Sequence, residues 1–512
     1  MEKGEKREET KYYARAASGL VRQITAFDTL TINIVLMGIG YLFLYSMWAE
    51  NLYPGVDLPS TVFLALLPSL CIAVCYLLLS QAMPRSGGDY IWVSRTIHPV
   101  LGFVGNFYMT SVINTFCGMV AGMSSWYGIA VMLLALGLAG NNPGLVDLGY
   151  TVASPPWSFI IAVIVIILLV IPMFFGTRAA FRVQRAGFLI TILGVIVYIV
   201  ACYATPQQQF IANFERLTGA SYQGIINSAV NEGHLTGILF GATLLGSIYT
   251  ALNYAGFTYS ASISGEVKEV RRSQLIGMVG AALLFGLLMF LLYHSTYYTM
   301  GKPFYSAISY LGETGNTAYP LAFPEPALNY MIAFVTQNQI VIFLVGLVLI
   351  ATCFTAIPAG AFVTARNFFA YAFDRVVPTK VASVDKRFRS PYVAILISTI
   401  WMIIGAYLFI YTNFYRYVIW GAFANYISFA IGCLAGIAFP YRMKELFERS
   451  PELVKKKVGG IPIISILGVI GFVYSIYIAI ASLTPTFAGT VALESYVMIF
   501  AIAIGAIVIY GL

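Results

Sequence analysis

Met37-Gly38-Ile39-Gly40, midway between Asp28 and Glu50, and Asn253-Tyr254-Ala255-Gly256, inside the charge-free run 235–265, decide how this chain is read. Each places glycine, a poor helix former, at the centre of a stretch long enough to cross about 30 Å of hydrocarbon as a helix of roughly 20 residues. A break at that depth leaves backbone N–H and C=O groups that lipid cannot satisfy. It persists only where it faces protein, water or a ligand. The pair therefore predicts a binding site inside a membrane.

Twelve apolar stretches are expected to span the bilayer, at 25–49, 60–83, 101–138, 157–175, 181–204, 235–264, 275–298, 337–372, 392–411, 413–440, 461–484 and 491–511. The two interruptions fall in the first and the sixth. Because an odd number of crossings inverts the second copy, the spacing predicts two five-span repeats of opposite orientation. The long uncharged stretches 99–146 and 326–365 hold corresponding third and eighth spans. The expected organisation is an all-α integral membrane protein: an arm at 1–24, a first repeat at 25–204, an outer loop at 205–234, a second repeat at 235–440, a basic loop at 441–460 and two more helices within 461–512.

Of 29 Lys and Arg residues, 26 fall in alternate connections, and only Arg216, Lys302 and Arg416 lie in the others. Short basic loops stay cytoplasmic during insertion, so both termini are expected on the cytoplasmic side of the cell membrane. Composition agrees, with 59% hydrophobic residues, 10% charged and a mean hydropathy of +0.83; a soluble domain has about 25% charged. The net charge of +8 follows from those loops and their attraction to anionic lipid, and implies no nucleic acid partner. All six cysteines sit in apolar segments and read as small core residues rather than disulfides or a metal set. The charged first 23 residues and the long first apolar stretch lack the form of a cleavable signal, so the mature chain is expected to start near Met1.

A half-helix beginning near Gly40 would offer free N–H groups and a positive dipole end to a carboxylate. Carbonyls freed at Leu36, Met37, Tyr249 and Thr250 would suit an ammonium group or a small cation. An amino acid satisfies both. On the third span Phe107, Thr110, Ser111 and Asn114 share one helical face. Tyr249, Tyr254 and Phe257 could close over a ligand, and Thr352, Thr355 and Trp420 could form other walls. Gly118 and Gly122, spaced as GxxxG, read as close helix packing. No Asp, Glu, Lys or Arg lies in the middle of a span, which points to a neutral amino acid as substrate.

After the second span, Met83-Pro84-Arg85-Ser86-Gly87-Gly88-Asp89-Tyr90 resembles the PRSGGxY motif of the amino acid-polyamine-organocation (APC) superfamily, continued by Pro99 and Gly102-Phe103. Gly38-Ile39-Gly40 looks like that family's broken first helix. Ala255-Gly256-Phe257 with Ser264-Gly265-Glu266-Val267-Lys268 looks like its broken sixth helix and following loop. Ala365-Arg366-Asn367 through Ala372-Phe373-Asp374-Arg375 and Pro378 resembles the end of its eighth. The resemblance covers about residues 25–440. It implies secondary transport of amino acids or related amines by alternating access on a five-plus-five fold with two extra helices, and no resident cofactor. Carried over by position, Gly38, Ile39 and Gly40 would hold the substrate carboxylate, carbonyls around Leu252 and Asn253 its amine, and Thr110, Ser111 and Thr115 would face the pocket.

The chain departs from that pattern where many relatives have Glu and it has Thr258, and where some have Lys and it has Thr191. A proton or sodium ion remains open as the coupling ion, with Thr191 and Thr355 as a possible site. Arg85, Asp89 and Arg95 are expected to form an ion-pair latch at the cytoplasmic gate, joined by Glu266, Lys268 and Asp374. Competing readings are polyamine transport in the same fold and a membrane-embedded amino acid sensor. An enzyme would need a nucleophile and base or a metal cluster, but the three histidines His98, His234 and His294 stand apart. The partners expected are the amino acid and the bilayer.

Overall fold

The computed structural model describes residues 22–234, 236–385, 390–412, 419–484 and 493–511. Most of the N-terminal arm, Lys386, Arg387, Arg389 and Arg416 lie outside these. The described chain is helical apart from a two-residue hairpin pairing Lys457–Val458 with Ile461–Pro462 and one isolated bridge between Ile24 and Val267. Among the described residues, ten helices are long and apolar enough to cross a membrane. Two further helices occupy the sixth and last expected places: Phe240–Tyr254 with its continuation Ala255–Glu266, and Leu493–Gly511. Large apolar side chains such as Leu67, Leu168, Leu189, Val473 and Phe500 stand exposed on the outer faces of these helices. Only hydrocarbon can cover so wide an apolar belt.

The first span begins with a reciprocal cap. Asp28 N donates to Thr25 Oγ1 at 3.3 Å and Thr25 N to Asp28 Oδ2 at 3.0 Å, satisfying donors a helix start would leave orphaned. Helix Ala26–Met37 then stops at Gly38, whose φ of +80° places it in the left-handed region. One 3-10 turn, Ile39–Tyr41, follows, and helix Leu42–Leu52 completes the crossing. The break read from the sequence is present.

The sixth span breaks differently. No extended linker separates two α half-helices; the chain changes pitch at Ala255 and runs as a 3-10 helix to Glu266. Ser260 anchors that segment, its N–H donating to Asn33 Oδ1 at 2.8 Å while Asn33 Nδ2 donates to Ser260 Oγ at 2.9 Å. A side chain of the first helix thus accepts from a backbone N–H that regular α-helix would have paired internally.

Two expectations about connections are corrected. The segments 205–234 and 299–336, read as loops from their Gly, Pro, Asn and Ser content, contain helices Gln207–Thr218, Tyr222–Asn231, Lys302–Thr314 and Leu328–Val335. Those residues bracket helices whose apolar faces meet: Phe214 lies 4.9 Å from Phe304 and 5.5 Å from Phe334 between ring centroids. Arg366, counted in a basic connection, instead sits inside the 35-residue helix Gln339–Phe373 and is buried.

This outer ledge carries a pH dependence. Burial, with Lys302 nearby, lowers the His234 imidazole from 6.5 to about 4, and its ring stacks on Tyr310 and shares a 3.0 Å hydrogen bond with Ser306. The folded pKa lies below the unfolded one, so the stability is present above about 6.5 and lost as pH falls toward about 4. Thermal unfolding measured across that window is expected to show the loss, and His234→Gln to flatten it.

Candidate functional site

The two discontinuities touch. A Cβ added to Gly256 would lie 2.5 Å from the Leu36 carbonyl oxygen and closer still to the Leu36 carbonyl carbon and Met37 nitrogen. No side chain can stand there, which is why glycine marks the sixth-span break. Beside this contact lies a small, partly open cavity. Val35, Leu36, Met37, Tyr41 and Tyr45 line it from the first span; Val112, Ile113, Phe116 and Cys117 from the third; and Leu252, Ala255 and Tyr259 from the sixth. Ala356 of the eighth span and Asn425 of helix Ile419–Arg442 complete the wall.

Ile39 and Gly40 are the first two residues of the 3-10 turn, positions where a helix leaves its N–H groups without an intrahelical partner. The turn's own bonds run from Tyr41 N to Gly38 O and from Leu42 N to Ile39 O and Gly40 O. The broken end therefore offers donors and a positive dipole end beside the cavity. Gly40 has a second role, because its Cα packs on Thr352: an added Cβ would collide with the Thr352 hydroxyl.

Of the sequence-expected residues, Met37 and Leu252 line the cavity, and Gly38, Ile39 and Gly40 adjoin it. The polar face of the third span points elsewhere. Thr110 Oγ1 is 3.1 Å from Tyr371 OH and accepts from Asn367 Nδ2, Asn114 Oδ1 accepts from Thr364 at 3.0 Å, and Thr115 Oγ1 accepts from Trp401 Nε1 at 3.1 Å. Ser111 bonds the Phe107 carbonyl of its own helix. These groups join the third span to the eighth and ninth, and the apolar stripe Val112, Ile113, Phe116 and Cys117 is turned inward instead. Its i, i+1, i+4, i+5 spacing is visible in the sequence, but an apolar face in an apolar helix carries no contrast.

From the sixth span, Asn253 Nδ2 donates to Tyr249 O at 3.2 Å, so that carbonyl is not free as expected. Tyr254 packs on Phe285 and Phe257 on Phe429, both away from the cavity. Gly256 makes the backbone contact described above. Tyr249 stands in an aromatic layer over the site: Tyr45 stacks on Tyr41 at 5.6 Å and meets Trp48 at 5.5 Å and Tyr249 at 5.9 Å. Glu325 of the outer ledge accepts from Trp48 Nε1 at 3.2 Å and Tyr127 OH at 2.8 Å. Tyr41, Tyr45, Tyr259, Ala356 and Asn425 were not singled out from the sequence as site residues.

On the side of the basic loops the expected latch is rearranged. Arg85 and Arg95 are exposed and form no ion pair among the described residues. Asp89, 3% exposed, accepts instead from Asn106 Nδ2 at 2.7 Å, Ser428 Oγ at 3.2 Å and Tyr90 N at 3.1 Å. Asp374 accepts from Tyr90 OH at 2.8 Å. Glu266 pairs with Arg366, its oxygens 2.8 and 3.2 Å from the guanidinium, both side chains 2% exposed. The glycines of the motif explain themselves here. Gly87, at φ +97°, donates its N–H to Ser262 O at 2.9 Å, and a Cβ on Gly88 would lie 2.9 Å from the Ala261 carbonyl carbon. Thr191 Oγ1 donates to Gly187 O and Thr355 Oγ1 to Thr352 O, each bonding its own helix.

The fold and site define a multi-pass membrane bundle with touching broken helices beside an apolar cavity, and His, Cys, Asp and Glu form no metal-holding group among the described residues. The chain belongs to the amino acid permease family, which matches residues 25–509. It is also 25% identical over 242 residues to the branched-chain amino acid permease BcaP of Lactococcus lactis subsp. cremoris (strain MG1363), across 44% of this chain and 46% of that protein. The chain thus spans about half the length of the curated relative it matches.

Proposed function

We propose that the protein is a secondary transporter that moves neutral amino acids with apolar side chains across the cell membrane by alternating access. The observation that carries this reading is the apolar cavity lined by the first, third, sixth and eighth spans, with the 3-10 turn Ile39–Tyr41 of the first break next to it in the chain. The carboxylate would sit on the N–H groups of Ile39 and Gly40, and Val112, Ile113, Phe116, Leu252 and Ala356 would receive the side chain. Backbone carbonyls near Leu36 would take the ammonium group. The name of the Lactococcus relative supports a branched aliphatic substrate. No Asp or Glu is among the lining residues, which disfavours a polyamine, whose several cations would need them.

Sodium would find in Thr191 and Thr355 two hydroxyls turned onto their own backbones and no carboxylate. A proton is the simpler co-transported ion. The test is uptake of labelled amino acids by liposomes holding the purified protein: leucine, isoleucine and valine should enter, while lysine, glutamate and putrescine should not. Transport of putrescine alone would overturn the substrate class. Ala356→Leu, which pushes a branched side chain into the cavity, is expected to raise the leucine KM by about tenfold, since excess volume costs about 1–3 kcal/mol. The loss for alanine should be smaller, and competition assays read the difference.

A further inference from the structure

Asp89 lies in the first turn of the short helix Gly88–Thr96 between the second and third spans, and donors of three other residues meet its carboxylate. They are not equivalent. Oδ1 accepts from Asn106 Nδ2 and Tyr90 N, neither of which can accept a hydrogen bond in return. Oδ2 accepts from the Ser428 hydroxyl, which can turn from donor to acceptor. A proton can therefore be placed on Oδ2 with the Ser428 oxygen as its acceptor, whereas on Oδ1 it would oppose an N–H. The carboxylate is built to hold one proton at one oxygen.

The charged groups around it are otherwise engaged. On the eighth span Arg366 pairs with Glu266, which closes the sixth, and Asp374 accepts from Tyr90. On the tenth, Arg442 donates to the Thr96 and Ile97 carbonyls at 3.3 Å. Arg95, on the same short helix, points to solvent. The second span presents Tyr76, the sixth Tyr259 and the eighth Tyr371, all neutral hydroxyls, and from the third comes only the Asn106 amide. No cation lies within ion-pair distance of Asp89 among the described residues.

The same bonds reach the cavity. Ser428 is one helical turn from Asn425, which lines the cavity and accepts from the Tyr259 hydroxyl beside it. Asn106 accepts from Tyr371, which bonds Thr110 on the third span, one turn from the lining residue Ile113.

We propose that Asp89 is the proton-binding group that couples transport to a proton gradient, taking its proton on Oδ2 against Ser428. This rests on the transport reading above. Hydronium on one side of the membrane gives its proton to the carboxylate, forming a carboxylic acid and water. After the conformational change the acid returns the proton to water on the other side, so one proton crosses with each substrate and no electrons move. Protonation removes a buried charge and reverses the Ser428 bond, loosening the tenth span's hold beside the cavity. In keeping with this, burial lifts the Asp89 carboxyl from 3.8 to about 6 despite the opposing bonds from Asn106 and Ser428.

The experiment uses full-length protein in liposomes. With an imposed proton gradient the wild type should concentrate leucine. Asp89→Asn should accumulate no more than it does without the gradient, while its exchange of leucine with leucine-loaded liposomes stays within about twofold of wild type. Gradient-driven accumulation by the variant, or a wild type that exchanges leucine but ignores the gradient, overturns the proposal. If Asp89→Asn does not fold, infrared titration of the protonated carboxyl band decides. A band with a midpoint near 6 that moves upward in Ser428→Ala supports the assignment, and a midpoint unmoved by that change contradicts it. A wild type that exchanges no amino acid strikes the transport reading alone, because the infrared titration needs no substrate.

Discussion

Gly256→Ala is expected to reduce leucine uptake to about a tenth of wild type or less, with Gly256→Val lower still. A Cβ there meets backbone atoms of Leu36 and Met37 rather than the flexible end of a side chain. Neither partner can rotate away, so the two broken helices must separate. Overpacking of this kind costs about 1–3 kcal/mol, and each 1.4 kcal/mol is about tenfold. Here the cost falls on the contact that positions the Ile39 and Gly40 donors. Gly241→Ala is the control, since nothing lies within 4 Å of its Cβ position; it should transport normally. Equal uptake by Gly256→Ala and Gly241→Ala would show that the breaks need not touch.

Arg366→Ala should lower thermal stability more than any other single change considered. It leaves the Glu266 carboxylate buried, and breaking a buried pair from one side costs about 3–5 kcal/mol. Glu266 also anchors the chain before the first span, its carbonyl accepting from Gln23 N at 2.9 Å and Ile24 N at 3.1 Å. Arg366→Lys should not rescue. The guanidinium uses two nitrogens on Glu266 and stacks 3.6 Å from the Phe362 ring centroid, a geometry that an ammonium cannot copy. The double variant Glu266→Gln, Arg366→Gln should recover part of the loss, because no uncompensated charge remains. Melting curves in detergent distinguish these outcomes.

The spans and the first break were legible in the sequence because both leave local marks. A bilayer demands long apolar runs, and Gly38 adopts a backbone angle that other residues avoid. The sixth break was located at Gly256, but its form was not foreseeable, since a 3-10 pitch depends on bonds from Asn33, 227 residues away. The pocket face of the third span was read from polarity, and the polar side chains serve interhelical bonds instead. In lipid a hydroxyl does not by itself mark a binding surface. Asp89 was read as half of an ion pair because Arg85 and Arg95 lie close in sequence. Its actual partners, Asn106 and Ser428, come from two spans and leave no charge pattern to read.

In the proposed transport cycle the touching breaks hold an amino acid by its carboxylate, with its side chain in the apolar cavity. A structure of the protein with L-leucine bound tests this most directly. Leucine is expected beside Met37, its carboxylate oxygen within about 3.2 Å of the Ile39 or Gly40 N–H and its side chain against Ile113 and Ala356. Leucine bound along the polar face of Thr110 and Asn114, or anywhere outside the cavity, would contradict it.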